Sequence, residues 1–290
     1  MDIQIFFQTI VNGLFTGGIY ALVAIGLTLI YGVMLILNFA HGEFLMLGMY
    51  VAYWSFTLAG IDPYLAVIIA ALLIFAVGAL IQSALVQHVL DAHPLNQIIL
   101  LLGVSTLIIG LVQFIWSAEA KSIHVSYETS VIPLMGLRFS IPRLIAFLSA
   151  MVIALSLYLF LQFSRVGKAI RAVSQSRDAA TLMGINVKFI YLLTFGIGAA
   201  VTAVGGALLT PNYKMIPTIG QQFGVIAFVV VVLGTMGNFL GAFFGGLIIG
   251  VVEAFAGYLL GGDVKIIASM LVFILILLFR PAGLFGKRRT

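Results

Sequence analysis

The sequence predicts an all-α integral membrane protein, a polytopic bundle of 8–9 transmembrane helices with a helical loop on its cytoplasmic side. Three observations carry this. Apolar residues make up 63% of the 290 and charged residues only 8%, against roughly 25% charged in soluble domains. Charge-free stretches outrun any single span: residues 3–42 carry none, nor do the 38 residues 215–252, whereas one span needs about 20 apolar residues. Basic residues cluster: of 14 Lys and Arg, five fall in 165–188 and four in 280–289. Such clusters in short loops hold those loops on the cytoplasmic face. So many spans use up the chain, which therefore reads as a single transmembrane domain over 1–290.

The spans follow in order. In 3–42, Asn12-Gly13 and Gly17-Gly18 suggest an early interruption, so a short N-terminal helix precedes a span ending near Asn38. Met1-Asp2-Ile3 has no basic region, which predicts an uncleaved first segment. Spans follow at 44–61, 64–90 and 95–116. Residues 117–143 turn polar, with Glu119, Lys121, Glu128 and Arg138, and are expected to form the longest external loop. After a span at 144–163 comes the basic loop at about 165–188, then a span at 189–209. The long run to Val252 is divided at Gly234-Thr-Met-Gly-Asn238, a glycine-rich break. Spans at 222–236, 239–261 and 264–279, with 189–209, make four crossings between the basic loop and Lys287-Arg288-Arg289. An even number leaves both on the cytoplasmic side. Lys265 and Arg280, at the ends of the last span, are placed to snorkel.

Small residues at four-residue spacing, Gly241/Gly245, Gly246/Gly250 and Ala199/Ala203/Ala207, predict close helix packing in lipid. The basic loop holds two amphipathic helices. Val166, Ala169, Ile170 and Val173 form an apolar stripe opposite the charges. Ser176 caps a second helix, Asp178 complements its dipole, and Gly184 closes it in a left-handed stop. Such a pair fits either a platform for a cytoplasmic partner or an anchor on anionic lipid.

Intramembrane ionisable groups are costly and face cavities or partners. Glu253, within an apolar run, and Asn38, His41 and Glu43, beside a helix end, are the candidates for a translocation path or for buried structural bonds. Enzymatic patterns are absent: no H-E-x-x-H, no G-x-S-x-G, no paired carboxylates. The chain has no cysteine, and its four histidines do not cluster, so no catalytic, metal or cofactor site is expected. No phosphate-binding G-x-x-x-x-G-K-[ST] occurs, so any ATPase must be another chain. The net charge of +5 belongs to the loops and points to membrane lipid, not nucleic acid.

Several segments resemble one family in order along the chain: Asn12-Gly-Leu through Tyr20-Ala-Leu, Gly26-Leu-Thr-Leu-Ile-Tyr-Gly32, Asn38-Phe-Ala-His-Gly-Glu43, Gly167-Lys-Ala-Ile-Arg-Ala172 through Ala179-Ala-x-x-Met-Gly-Ile-Asn186, Gly241-Ala-x-x-Gly-Gly-Leu-Ile-Ile-Gly250 and Phe279-Arg-Pro-x-Gly-Leu-Phe-Gly286. They are similar to the branched-chain amino acid permeases of ATP-binding-cassette importers, of the LivH type. The resemblance implies a multi-pass bacterial inner-membrane protein partnered by a second permease, two cytoplasmic ATPase subunits and a solute-binding protein. It implies no cofactor, and a coupling segment holding Gly167, Lys168, Arg171, Arg177, Asp178, Gly184 and Asn186. The apolar stripe would seat in an ATPase groove, with Lys168, Arg171 and Arg177 orienting it. Thr235 departs from the glycine that the family often shows at this turn. Permeases for urea or amides, a proton-coupled transporter using Glu43 and Glu253, and a membrane scaffold are the alternatives.

Overall fold

The computed structural model describes residues 3–134, 136–280 and 282–286. Among them are eleven α-helices: α1 Ile3–Met34, α2 His41–Ala59, α3 Pro63–Ala84, α4 Pro94–Trp116, α5 Ile141–Phe163, α6 Arg165–Gln175, α7 Arg177–Leu182, α8 Val187–Leu209, α9 Ile219–Leu233, α10 Phe239–Leu260 and α11 Lys265–Phe279. Strands β1 Val131–Leu134 and β2 Leu137–Ser140 form one antiparallel hairpin, with Val131 opposite Ser140. Six helices (α1, α3, α4, α5, α8 and α10) are long and apolar enough to cross a membrane.

The helix starts are set by local chemistry. Asp62 accepts from the Tyr64 N–H and His93 from the Leu95 N–H, each just before a proline that opens α3 or α4. Asn186 and Asn238 do the same for α8 and α10. Each cap satisfies one of the orphan amides of a first turn, and proline there gives up no bond.

One end of the bundle carries the β-hairpin and the other the basic segment α6–α7. Gln8 clamps the backbone of Arg138, accepting from its N–H at 2.8 Å and donating to its carbonyl at 2.9 Å. That fixes the start of α1 at the hairpin end. The external-loop expectation for 117–143 gave no strand, yet the hairpin lies there, and the segment is also tied to the 210–218 link by paired Lys121–Met215 backbone bonds. The Lys287–Arg289 run used in the topology argument lies outside the described residues.

α1 corrects the expected interruption: it is a single helix of 32 residues. Its glycines are contact points. A Cβ on Gly13 would stand 2.6 Å from Val251 Cα, and one on Gly17 2.8 Å from the Gly246 carbonyl. In lipid, glycine lets backbones meet where no hydrophobic effect drives them together. α1 and antiparallel α10 interlock this way through Gly246 and Gly250, as α3 and α8 do through Gly78 and Ala199. α1 and α8 are covered on nearly all sides. α3, α4, α5 and α11 bury one stripe and leave residues such as Leu72, Phe114, Leu155 and Leu278 exposed, the pattern of lipid-facing helices.

The glycine-rich break is a turn at 234–238. Thr235 sits there at φ 74°, in the left-handed region, which costs a residue with a Cβ about 1–2 kcal/mol. Its hydroxyl donates to the Ala282 carbonyl at 2.9 Å, and Leu284 N–H bonds Leu233 O at 2.8 Å. The side chain that departs from glycine thus pins the C-terminal segment onto the turn.

Candidate functional site

Two helices begin inside the bundle. After Met34 the chain reverses through Leu35, at φ 56°, and runs back beside α1, so that His41 at the start of α2 bonds Val23. Val23 lies 11 residues before the end of α1, about 16 Å at 1.5 Å per residue. α9, with 15 residues, rises only about 22 Å, short of a hydrocarbon core of about 30 Å. The two starts touch: a Cβ on Gly42 would collide with the Gly220 carbonyl, and one on Gly220 would lie 2.5 Å from Glu43 Oε2.

The structure gathers Asn38, His41 and Glu43 at this joint, all at most 1% exposed. They are interior, not beside an interface. His41 Nε2 lies 3.0 Å from the Val23 carbonyl and 2.7 Å from Thr202 Oγ1. A carbonyl only accepts, so Nε2 carries the proton. The Thr202 hydroxyl donates to Gly198 O at 2.9 Å. Ser105 of α4 donates to Glu43 Oε1 at 3.0 Å. Asn38 Oδ1 accepts from Ala40 N–H at 3.1 Å. His41 Nδ1, Asn38 Nδ2 and Glu43 Oε2 have no partner among the described residues. Nine buried side-chain nitrogen and oxygen atoms among the described residues lack a partner, and three of them meet at this joint, where each calls for an explanation. Thr202 and Ser105 had no distinguishing sequence signal.

Glu253 stands apart, on α10. Tyr20 donates to its Oε2 at 2.7 Å and Ser269 to its Oε1 at 2.5 Å, so one carboxylate joins α1, α10 and α11. It borders a cleft of about 270 Å³ near the hairpin end.

The basic segment forms the two expected helices, with Ser176 capping α7 and Gly184 at φ 79°. The orientation of the first is the reverse of the expected one. Ile170 and Val173 are buried against the bundle, so the apolar stripe packs on its own protein. Arg171 turns back onto the end of α5, donating to Leu161 O, and to Gln162 O at 3.2 Å. A guanidinium at a helix C-terminus satisfies carbonyls that lack helical partners. Gly167 is buried where a Cβ would strike the Leu161 backbone. Asn186 is occupied as a cap. Lys168, Asp178, Leu182, Met183 and Gly184 remain exposed. Leu182 and Met183, which the sequence reading did not single out, are 88% and 81% exposed. Their signal is an apolar pair just before a glycine stop.

Arg177 pairs with Asp91, in the turn between α3 and α4, at 2.5 Å. The hydrogen bond from Arg177, aided by its charge, holds the Asp91 carboxyl below the usual range, and the same bond raises the guanidinium further. In the 117–140 segment, burial and then the bond to Asp62 push the Tyr127 phenol upward. Among the described residues no three His, Cys, Asp or Glu come together to hold a metal ion.

The family model described as "Branched-chain amino acid transport system / permease component" matches residues 9–280. The chain is 34% identical to the high-affinity branched-chain amino acid transport system permease protein BraD of Pseudomonas aeruginosa, over 99% of this chain and 97% of that one. It is 33% identical to the corresponding LivH protein of Salmonella typhimurium, over 97% and 96%. Among solved structures, PsaBC from Streptococcus pneumoniae in complex with Fab has a similar fold, with TM-score 0.51 and 12% identity over 94% of this chain and 92% of that one. With six helices fit to cross a membrane and these matches over nearly its whole length, the chain belongs to the family of branched-chain amino acid transport permeases, of the LivH type.

Proposed function

We propose that this chain is a membrane-spanning subunit of an ATP-driven importer for branched-chain or related small apolar amino acids. It works with a second permease, two ATPase subunits on the cytoplasmic side and a solute-binding protein outside, in a bacterial inner membrane. In this reading α1–α5 and α8–α11 make nine passes, with α2 and α9 each completed by non-helical chain. The hairpin end is external and α6–α7 cytoplasmic, as the clustered Arg and Lys favour.

The observation that carries the ATP-driven reading is the tip of α7. Leu182 and Met183 project at the basic end, 88% and 81% exposed, ahead of a glycine in the left-handed conformation. Isolated apolar knobs on a short, capped helix suit insertion into a groove of a partner, where a few buried anchors carry most of the binding energy. Arg177, Lys168 and Asp178 would flank them as rim charges, which steer association more than they add affinity.

The test is co-purification with the ATPase subunits and ATP-dependent leucine uptake in vesicles. Leu182→Ser with Met183→Ser is expected to abolish both while leaving the permease inserted. Unchanged co-purification would remove α7 as the docking element. The proton-coupled alternative rests on Glu43, whose Oε2 has no partner among the described residues. Proton-dependent uptake by the purified chain alone would favour it.

A further inference from the structure

Resting on the amino-acid transport reading, we propose that the cleft between α1, the start of α5, α10 and α11 binds the charged end of a free amino acid. Arg143 and Lys265 take the carboxylate, and Glu253 takes the ammonium.

The cleft holds about 270 Å³, just below the usual range of ligand pockets, which begins near 300 Å³. Its lining is unusual for a chain with only 8% charged residues: two cations and a carboxylate share one small space. Among the described residues neither Arg143 nor Lys265 is within ion-pair distance of a carboxylate; the pairs present are His124–Glu128 and Arg177–Asp91. Lys265 is solvent-exposed, and its stem lies across Gly257, where a Cβ would meet Cγ at 3.1 Å, so that the residue lines the cleft.

Glu253 is 5% exposed and lines the cleft. Tyr20 and Ser269 use one acceptor site on each oxygen, and a carboxylate offers about four, so an ammonium finds acceptors free. The Tyr213 and Tyr258 rings complete the lining and supply faces for a cation or an apolar side chain. Thr9, Asn12 and Thr16 fall on one face of α1 toward the same space. A dipolar molecule meets opposite charges there at both of its ends. A simple carboxylate, an amine or a neutral sugar leaves at least one set of charges unanswered, which is how a buried polar site rejects an analogue.

The native chain has no cysteine, so Tyr258→Cys introduces the only thiol of this subunit at the rim of the cleft. In the full chain reconstituted in nanodiscs, leucine is expected to slow maleimide labelling by the factor 1 + [L]/Kd, about elevenfold at ten times Kd. 4-Methylpentanoate and 3-methylbutylamine, each lacking one charge, should protect far less, and Arg143→Gln should remove protection by leucine. Equal protection by either analogue or by a neutral sugar overturns the assignment. So does labelling unaffected by leucine in a Tyr258→Cys transporter that still takes up leucine with its partner subunits. If the assembled wild-type transporter takes up no leucine, the functional reading fails, independently of the cleft.

Discussion

Arg177 at the start of α7 donates a 2.5 Å hydrogen bond to Asp91 in the turn between α3 and α4. That turn leads into α4, whose Ser105 in turn holds Glu43 at the joint of α2 and α9. The exposed basic segment and the buried polar joint are therefore linked through one peripheral helix.

Arg177→Gln is expected to leave thermal stability unchanged, because both side chains are solvent-exposed and such pairs contribute little. Hydrogen exchange in 86–94 should rise, and ATP-dependent uptake should fall. The pairing also has a pH signature. The folded carboxyl is depressed, so its contribution is complete above the ordinary carboxylate pKa of about 3.9 and is lost as pH falls through the lower folded value. Exchange in 86–94 should match that of the variant only in strong acid; convergence already at neutral pH would rule the pairing out.

Arg171 ties the end of α5 to α6, so Arg171→Glu is expected to lower the yield and melting temperature of the folded permease. The loss should be about 1.5–3 kcal/mol, the usual range for hydrogen bonds to a charged group. Docking of ATPase subunits per folded molecule should survive. A variant that melts normally but no longer co-purifies with them would return Arg171 to the docking surface.

Gly42→Ala should be among the most damaging small substitutions, because the added methyl meets the Gly220 carbonyl. Overpacking of this kind costs about 1–3 kcal/mol or more. Gly103→Ala and Gly110→Ala on α4, with nothing within 4 Å, should be tolerated. Detergent-resistant folded yield distinguishes the three; equal yields would contradict the contact.

Glu253→Gln is expected to keep the fold, since the amide oxygen accepts from one hydroxyl and its NH2 donates to the other, which rotates to accept, and to lose most uptake through the lost charge. Glu253→Ala should also destabilise, by about 1–3 kcal/mol, because it strands the Tyr20 and Ser269 hydroxyls. Full uptake by the Gln variant would confine this residue to holding helices together.

Local chemistry was the legible part of this molecule. Caps and stops such as Ser176 and Gly184 act on neighbours within a few residues, and they stand where the sequence places them. Charge-free length likewise located the long helices to within a few residues at their ends. Glycine was ambiguous: Gly13 and Gly17 read as a break, but in lipid the same residue marks where a second helix comes close. Orientation was not legible either, because whether Arg171 points outward depends on the uncapped end of α5. The polar joint depends on residues as distant as Gly42 and Gly220, a pairing that no local pattern carries.

The meeting of α2 and α9 has an electrostatic consequence. Each helix presents at its N-terminus roughly half a positive elementary charge, spread over unpaired amides. Two such ends converge on Glu43, which sits in the first turn of α2 and against Gly220 of α9. Their sum is about one positive charge, opposite to that of one carboxylate. The two ends favour an acidic side chain here through space alone, since no amide among the described residues bonds Glu43 Oε2.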